Sequence, residues 1–405
     1  MINKRNKSII IFCVFAFGFF ISNLLRSITA TLTPVLTSEF DLTAGNLGLL
    51  AGGYFLGFSL MQIPAGLLLD KHGPKKVVAY LLLIALVSTI SFAFAKSFAG
   101  LLISRFFIGV GVAACLMGAL TGYRVWFEDK YQQRANSWML MVASFGFVIS
   151  TLPVQILLPM IGWRSIFLII TILILLSILL ILVFAPSWNN VQNQNIQSTD
   201  STGHLSDVWK NKFFISLIPL AFINYGGVQA IQTLWAGPWM LNVSGYSPLD
   251  SATGLFWINI TMLFAFMFWG YILPKFSSLG IDSIKIVKIG LPISYVVLFT
   301  IIIMGQKAGA TMFTLYILSS IVLSLTQPAL ALSFPQNLAG KSLTSINVFI
   351  HSGTFFLQWG IGLLIDLSKN MGASTIISYK ISFSIFLILC ILSYLFFIFF
   401  NKNEN

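Results

Sequence analysis

The chain has 405 residues, of which 57% are hydrophobic and 8% charged, with a mean hydropathy of +0.92 and a formal net charge of +12. A soluble domain carries about 25% charged residues, so a water-facing surface is excluded and the chain must present itself to lipid. Cys13, Cys115 and Cys390 lie far apart, each in an apolar stretch. Their spacing excludes a metal cluster; they read as core filling, and neither metal nor cofactor is expected.

Lys4, Arg5 and Lys7 precede the first apolar run. That run is too long for a signal peptide, lacks a small-residue cleavage site and continues into polar helical sequence, so a retained first helix is expected. Runs of bilayer-spanning length follow at 8–35, 45–68, 77–95, 98–122, 136–159 and 165–185. Six more fall at 212–240, 251–273, 284–305, 310–333, 342–366 and 377–400. Between the sets, residues 189–211 are rich in Asn, Gln and Ser and predict a cytoplasmic linker between two six-helix bundles, 1–188 and 212–405.

In the first run, Asn23, Arg26 and Ala30 share a helical face. An ionised side chain in hydrocarbon is costly and asks for a reason. The guanidinium fork suits carboxylate, phosphate or nitrate oxygens, which makes Arg26, with Asn23, a candidate anion ligand. The alternative is an arginine bonded to backbone carbonyls at a helix contact. After the second run comes GLLLDKHGPKK, Gly66 to Lys76. There Gly66 is expected to allow close helix packing, Asp70 to cap or pair at a helix end, and Gly73 to permit the turn. Lys71, Lys75 and Lys76 hold the loop in the cytoplasm; a merely topogenic loop is the alternative. Arg105 lies within the fourth run, and Arg134 precedes the fifth.

The seventh run places Tyr225, Gln229, Gln232 and Ala236 on one face, with Trp235 beside them. Gly226, Gly227 and Gly237-Pro238 predict a helix that bends or breaks, and Gln327-Pro328 predicts a similar interruption in the tenth. These amides either orient a substrate or hold helices together. In the eleventh run Asn347, His351, Thr354 and Gln358 form a polar stripe. His351 is the one mid-membrane group that ordinarily titrates near neutral pH, so it is a candidate for proton coupling, against the plain reading of a satisfied core histidine. No Asp or Glu lies deep in any run; Asp366 stands near the outer end of the eleventh. With the amino terminus inside, 16 of the 23 Lys and Arg fall on cytoplasmic segments, five outside, and Arg26 and Arg105 within helices. Both termini are therefore expected inside, and the basic balance reflects topology rather than nucleic-acid binding.

GLLLDKHGPKK resembles the major facilitator signature G-x-x-x-D-[RK]-x-G-x-[RK]-[RK] between helices 2 and 3. RFFIGVGVAA from Arg105 is similar to the family's helix-4 pattern. WFEDKYQQRA, which contains Arg134, resembles the stretch before helix 5 with one extra residue, and GWRSIF at Gly162–Phe167 resembles the opening of helix 6. The second half departs from the pattern, with Pro274 where the repeated signature has an acid. SFGFVISTLP lacks the G-P-x-x-G-G element of drug/proton antiporters. NLLRSITA resembles helix 1 of the anion:cation symporter branch, in which an Arg at this place contacts the substrate anion. Those relatives carry an acid before the Arg, here Leu25, and a Glu after the helix-4 glycines, absent from GVGVAA.

The resemblance implies an all-α integral membrane protein of twelve transmembrane helices in two six-helix bundles, with the major facilitator fold. It further implies a secondary active transporter, with proton symport as one coupling mode, that moves a small organic or inorganic anion by alternating access. Arg105 would hold helix contacts or assist proton movement. The expected setting is a monomer in the inner membrane, with lipid and a small-molecule substrate as partners. A facilitative uniporter or an exporter of a neutral or cationic solute is the alternative, then a channel or a receptor. An enzyme is not expected, because the chain has no phosphate-binding Gly loop, no metal-spaced cluster and no soluble domain large enough for a site.

Overall fold

The computed structural model describes residues 4–188, 205–278 and 282–400. Eleven helical stretches among them are long and apolar enough to cross a membrane. Hydrocarbon offers no partner to backbone N–H and C=O groups, so each run closes its hydrogen bonds within itself as a helix. The first four are α1 (Lys4–Phe40), α2 (Ala44–His72), α3 (Pro74–Ala93) and α4 (Phe98–Trp126). The stretch Met141–Phe184 runs for 44 residues, too long for one crossing. It is broken at Gly162, whose φ of 72° and ψ of 160° no α-helix contains and a residue with a Cβ rarely adopts. The break separates α5 (129–161) from α6 (163–184) and makes twelve crossings among the described residues.

After a short helix at Leu205–Lys210 come α7 (Lys212–Asn242), α8 (Pro248–Ser278), α9 (Ser283–Met304), α10 (Ala310–Leu332), α11 (Gln336–Asn370) and α12 (Thr375–Phe400). Of the positions expected to bend or break α7, Gly237-Pro238 lies in regular α-helix, Ala236–Asn242, whereas Gly226 and Gly227 stand between two irregular turns. The irregularity lies earlier, where Leu220–Tyr225 and Ile231–Trp235 widen into π turns, a form concentrated at functional positions. In α10 a 3₁₀ stretch, Ile321–Leu325, precedes the Gln327-Pro328 segment.

Two compact units are present: Met1–Ile28 with Gly53–Asp200, and Thr29–Gly52 with Ser201–Asn405. Both units therefore share α1 and α2. Most of the polar stretch expected to divide the chain, up to residue 204, lies outside the described residues.

In the first unit α3 packs on α4 and α6, and α2 meets α4 through glycines. A Cβ at Gly109 would lie 2.0 Å from the Tyr54 carbonyl oxygen, and one at Gly57 2.0 Å from that of Phe106. Such close approach replaces the hydrophobic driving force that lipid cannot supply between helices. At Gly66 no atom of the described residues lies within 4 Å of the Cβ it lacks, so the close packing expected there is not seen among them. Gly73, by contrast, does make the turn into α3, at φ 76° with the Trp188 ring against it.

In the second unit α7 packs on α11, with Gly353 against the Phe222 carbonyl. The start of α2 lies on the far part of α11, where Cβ atoms at Gly48 and Gly362 would meet the carbonyl oxygens of Gln358 and Ala44 at 2.2 and 2.3 Å.

Candidate functional site

Arg26 sits midway along α1 between Leu25 and Ser27, both buried, and is itself only half-buried. Its Cζ lies 4.9 Å from the centre of the Phe58 ring and 5.9 Å from that of Phe55, both on α2. Its Nε is buried without a hydrogen-bond partner, and among the described residues the side chain makes no hydrogen bond or ion pair. The alternative of an arginine bonded to backbone carbonyls is thus not what the structure holds.

Arg105 is the opposite case. Fully buried on α4, it donates from Nη1 to the Leu25 carbonyl at 2.8 Å, and its Cζ lies 5.5 Å from the Tyr54 ring centre. It ties α4 to α1 at the residue before Arg26. Tyr54 donates its hydroxyl to the Ser22 carbonyl at 3.0 Å and stacks on Phe58, with centroids 6.0 Å apart and planes inclined by 20°. Two guanidinium groups therefore bracket one pair of rings. Asn23, on the same face of α1, is 1% exposed, donates to the Phe19 carbonyl and lies against Gly146 of α5.

The polar residues of the second unit form a ladder between helices. Thr354 donates to Gln229 Oε1 at 3.1 Å, and Gln358 donates through Nε2 to Thr233 Oγ1 at 3.0 Å. Trp235, fully buried, donates to the Gln358 carbonyl, while Gln232 donates to Asn259 Oδ1 on α8. Gln327 of α10 donates to Asn347 Oδ1 of α11 at 3.2 Å, and both side chains remain half-buried. His351 is 7% exposed, one turn before Thr354. Of the α7 amides, buried Gln232 is accordingly spent on a helix contact, whereas Gln229, like Gln327 and Asn347, stays half-buried and keeps a reachable edge.

At the turn between α2 and α3, which only Gly73 makes, Asp70 and Lys71 end α2 and are exposed, while in the first turn of α3 Lys76 is exposed and Lys75 half-buried. Arg134 is exposed and stands over Trp138, 5.1 Å from its ring centre. Sequence reasoning passed over Tyr54, Phe55 and Phe58, because aromatics make up 15% of the chain and carry no contrast there. It noted Asp366 but not its partners: the carboxylate accepts from the backbone N–H of Ala44 at 3.0 Å and of Gly45 at 2.7 Å.

These features define a bundle of membrane-crossing helices that holds a cation, Arg26, unpaired among the described residues. Residues 15–362 match the family described as Major Facilitator Superfamily, and the chain belongs to it. The family is one of multi-pass membrane transporters, not of enzymes. One relative, named "Probable sulfoacetate transporter", from Cupriavidus necator, is 29% identical over 169 residues, 42% of this chain and 39% of that one. An uncharacterized transporter of Bacillus subtilis is 24% identical over 296 residues, 68% of this chain and 65% of that one. A "Probable nitrate transporter" of Staphylococcus epidermidis is 28% identical over 205 residues, 50% and 51% of the two chains. The match thus spans less than two thirds of the length of these relatives. A crystal structure of a D-xylose-proton symporter shares the fold, with a TM-score of 0.79 over 96% of this chain and 97% of that one at 15% identity.

Proposed function

We propose that this chain is a secondary transporter that moves a small anion, most simply a carboxylate, across the inner membrane by alternating access, with Arg26 as the direct ligand. One observation carries the reading: a half-buried, permanently charged guanidinium that has no hydrogen bond or ion pair of its own among the described residues. Such a group is costly inside a membrane protein, and a bound anion offsets part of that cost. Two of the relatives are named for sulfoacetate and nitrate, both anions.

Within the second unit, the half-buried Gln327–Asn347 pair is the polar surface best suited to a substrate, with Gln229 next. Gln232, Trp235 and Asn23 serve packing first. His351 is the candidate for a coupling proton, and Arg105 a clamp between α1 and α4. Asp70, with Gly73 and the lysines around it, acts on the conformational cycle. The termini lie in the cytoplasm, and the working unit is a monomer.

The test is ligand titration of the purified protein with sulfoacetate, nitrate and neutral controls. Loss of a charge-assisted contact costs about 1.5–3 kcal/mol, so Arg26→Ala should weaken anion binding by about ten- to a hundredfold. Arg26→Lys should rescue poorly, because a point charge lacks the two-pronged geometry. Unchanged affinity in a folded Arg26→Ala protein, or a neutral or cationic substrate, overturns the proposal.

A further inference from the structure

We infer that Phe58 is a positioning residue for the anion site: its ring fixes the plane of the Arg26 guanidinium and so presents the nitrogen edge to the substrate. The inference rests on the reading of Arg26 as the anion ligand.

An arginine side chain has several rotatable bonds, and its fork recognises an anion only if its plane is set beforehand. In most proteins hydrogen bonds to Nε or the terminal nitrogens set that plane. Here Nε is buried with no partner, and no polar group among the described residues holds the rest. What touches the guanidinium is aromatic: Phe58 at 4.9 Å and Phe55 at 5.9 Å from ring centre to Cζ. A cation over a ring face is attracted by the ring quadrupole, and the planar guanidinium can also stack there. The ring faces give no hydrogen-bond acceptor in the guanidinium plane, so the edge donors stay available to a ligand.

The supporting ring is itself held. Phe58 is 6% exposed and stacks on Tyr54, whose hydroxyl bonds to Ser22 on α1 and whose ring lies under Arg105. Arg105 in turn is anchored on Leu25. The column Arg26–Phe58–Tyr54–Arg105 therefore starts and ends on the same two turns of α1. Each contact fixes the next, and the one free edge belongs to Arg26.

The experiment is a double-mutant cycle on the purified full chain, with sodium sulfoacetate and sodium nitrate as probes and thermal unfolding as a check on folding. Phe58→Leu keeps an apolar side chain but removes the ring face. It should weaken anion binding by about tenfold, the size of one desolvated cation–aromatic contact. Phe58→Tyr, which keeps the ring, should bind within about twofold of the unmodified chain on the same grounds. In an Arg26→Ala background Phe58→Leu should have no further effect, because Phe58 acts only through the guanidinium. A purely structural role would weaken binding equally in both backgrounds. If Arg26→Ala weakens binding while Phe58→Leu does not, or if the two losses simply add, the positioning role is overturned and the anion reading stands. If the unmodified chain binds neither probe, or Arg26→Ala leaves binding unchanged, both are overturned together.

Discussion

His351 poses a different question from Arg26, because its charge is optional. It lies 7% exposed on α11, on the same helical stripe as Asn347, Thr354 and Gln358. If it carries the coupling proton, His351→Gln should abolish uptake driven by a pH gradient while sparing exchange of substrate for substrate, which needs no net proton movement. Loss of both modes in proteoliposomes would assign the residue to binding or packing, and persistence of gradient-driven uptake would remove it from coupling. Both Arg26 and His351 were legible in the sequence, since a charge or an imidazole inside an apolar run stands out against its neighbours. Phe58 was not. One phenylalanine among 38 has no contrast, and only the fold brings it over Arg26, 32 positions earlier in the chain. The amides of α7 were legible as a polar face, but their choice between substrate and helix contact depends on partners on α8 and α11 that no periodicity reveals.

Among the elements, the meeting of α2 and α11 shows how a helix end is satisfied within the second unit. The first backbone N–H groups of α2 have no partner inside the helix. Asp366 supplies one from α11, taking Ala44 N–H and Gly45 N–H on its two oxygens, with its negative charge at the positive end of the helix dipole. Glycines bring the two helices together just beyond, at Gly48 against Gln358 and Gly362 against Ala44. Asp366→Ala removes both bonds and should cost about 1 kcal/mol, the usual worth of a helix cap. The start of α2 would then loosen from α11. Maleimide labelling of a cysteine placed at Leu47, which is 4% exposed, should rise several-fold in that background. Equal labelling with and without Asp366 would show that the glycine contacts alone hold the pair. An acid at the end of an apolar run was visible in the sequence, but its partners lie more than 320 positions away. The π turns of α7 left no signal either, because a membrane-crossing run of apolar and aromatic residues looks the same in a regular and in a widened register.

For the whole molecule, Asp70 and the topology are the two tests. Asp70→Asn should insert normally yet slow substrate turnover, if the junction of α2 and α3 governs the cycle. Unchanged turnover at normal expression would leave that junction merely topogenic. Spanning runs were legible because a bilayer demands only length and apolarity, whereas the grouping of Thr29–Gly52 with the second unit depends on packing and was not.

The topology itself turns on Gly162. If the stretch Met141–Phe184 crossed once, the chain would cross eleven times and its ends would lie on opposite sides. Everything after α5 would then invert, and Lys210, Lys212, Lys285, Lys288 and Lys341 would face outward against the usual preference of Lys and Arg for the cytoplasm. The break at Gly162, with its φ of 72°, divides that stretch in two, and two crossings there keep the expected 16-to-five distribution. Reporter fusions at the carboxyl terminus and at Gly203, which lies outside the described residues, should therefore both report the cytoplasm. Fusions at Gly45 and Gly162 should report the outside. A cytoplasmic signal at Gly162, or an external one at Gly203, would mean that α5 and α6 cross as one helix and that the division into two six-helix halves is wrong.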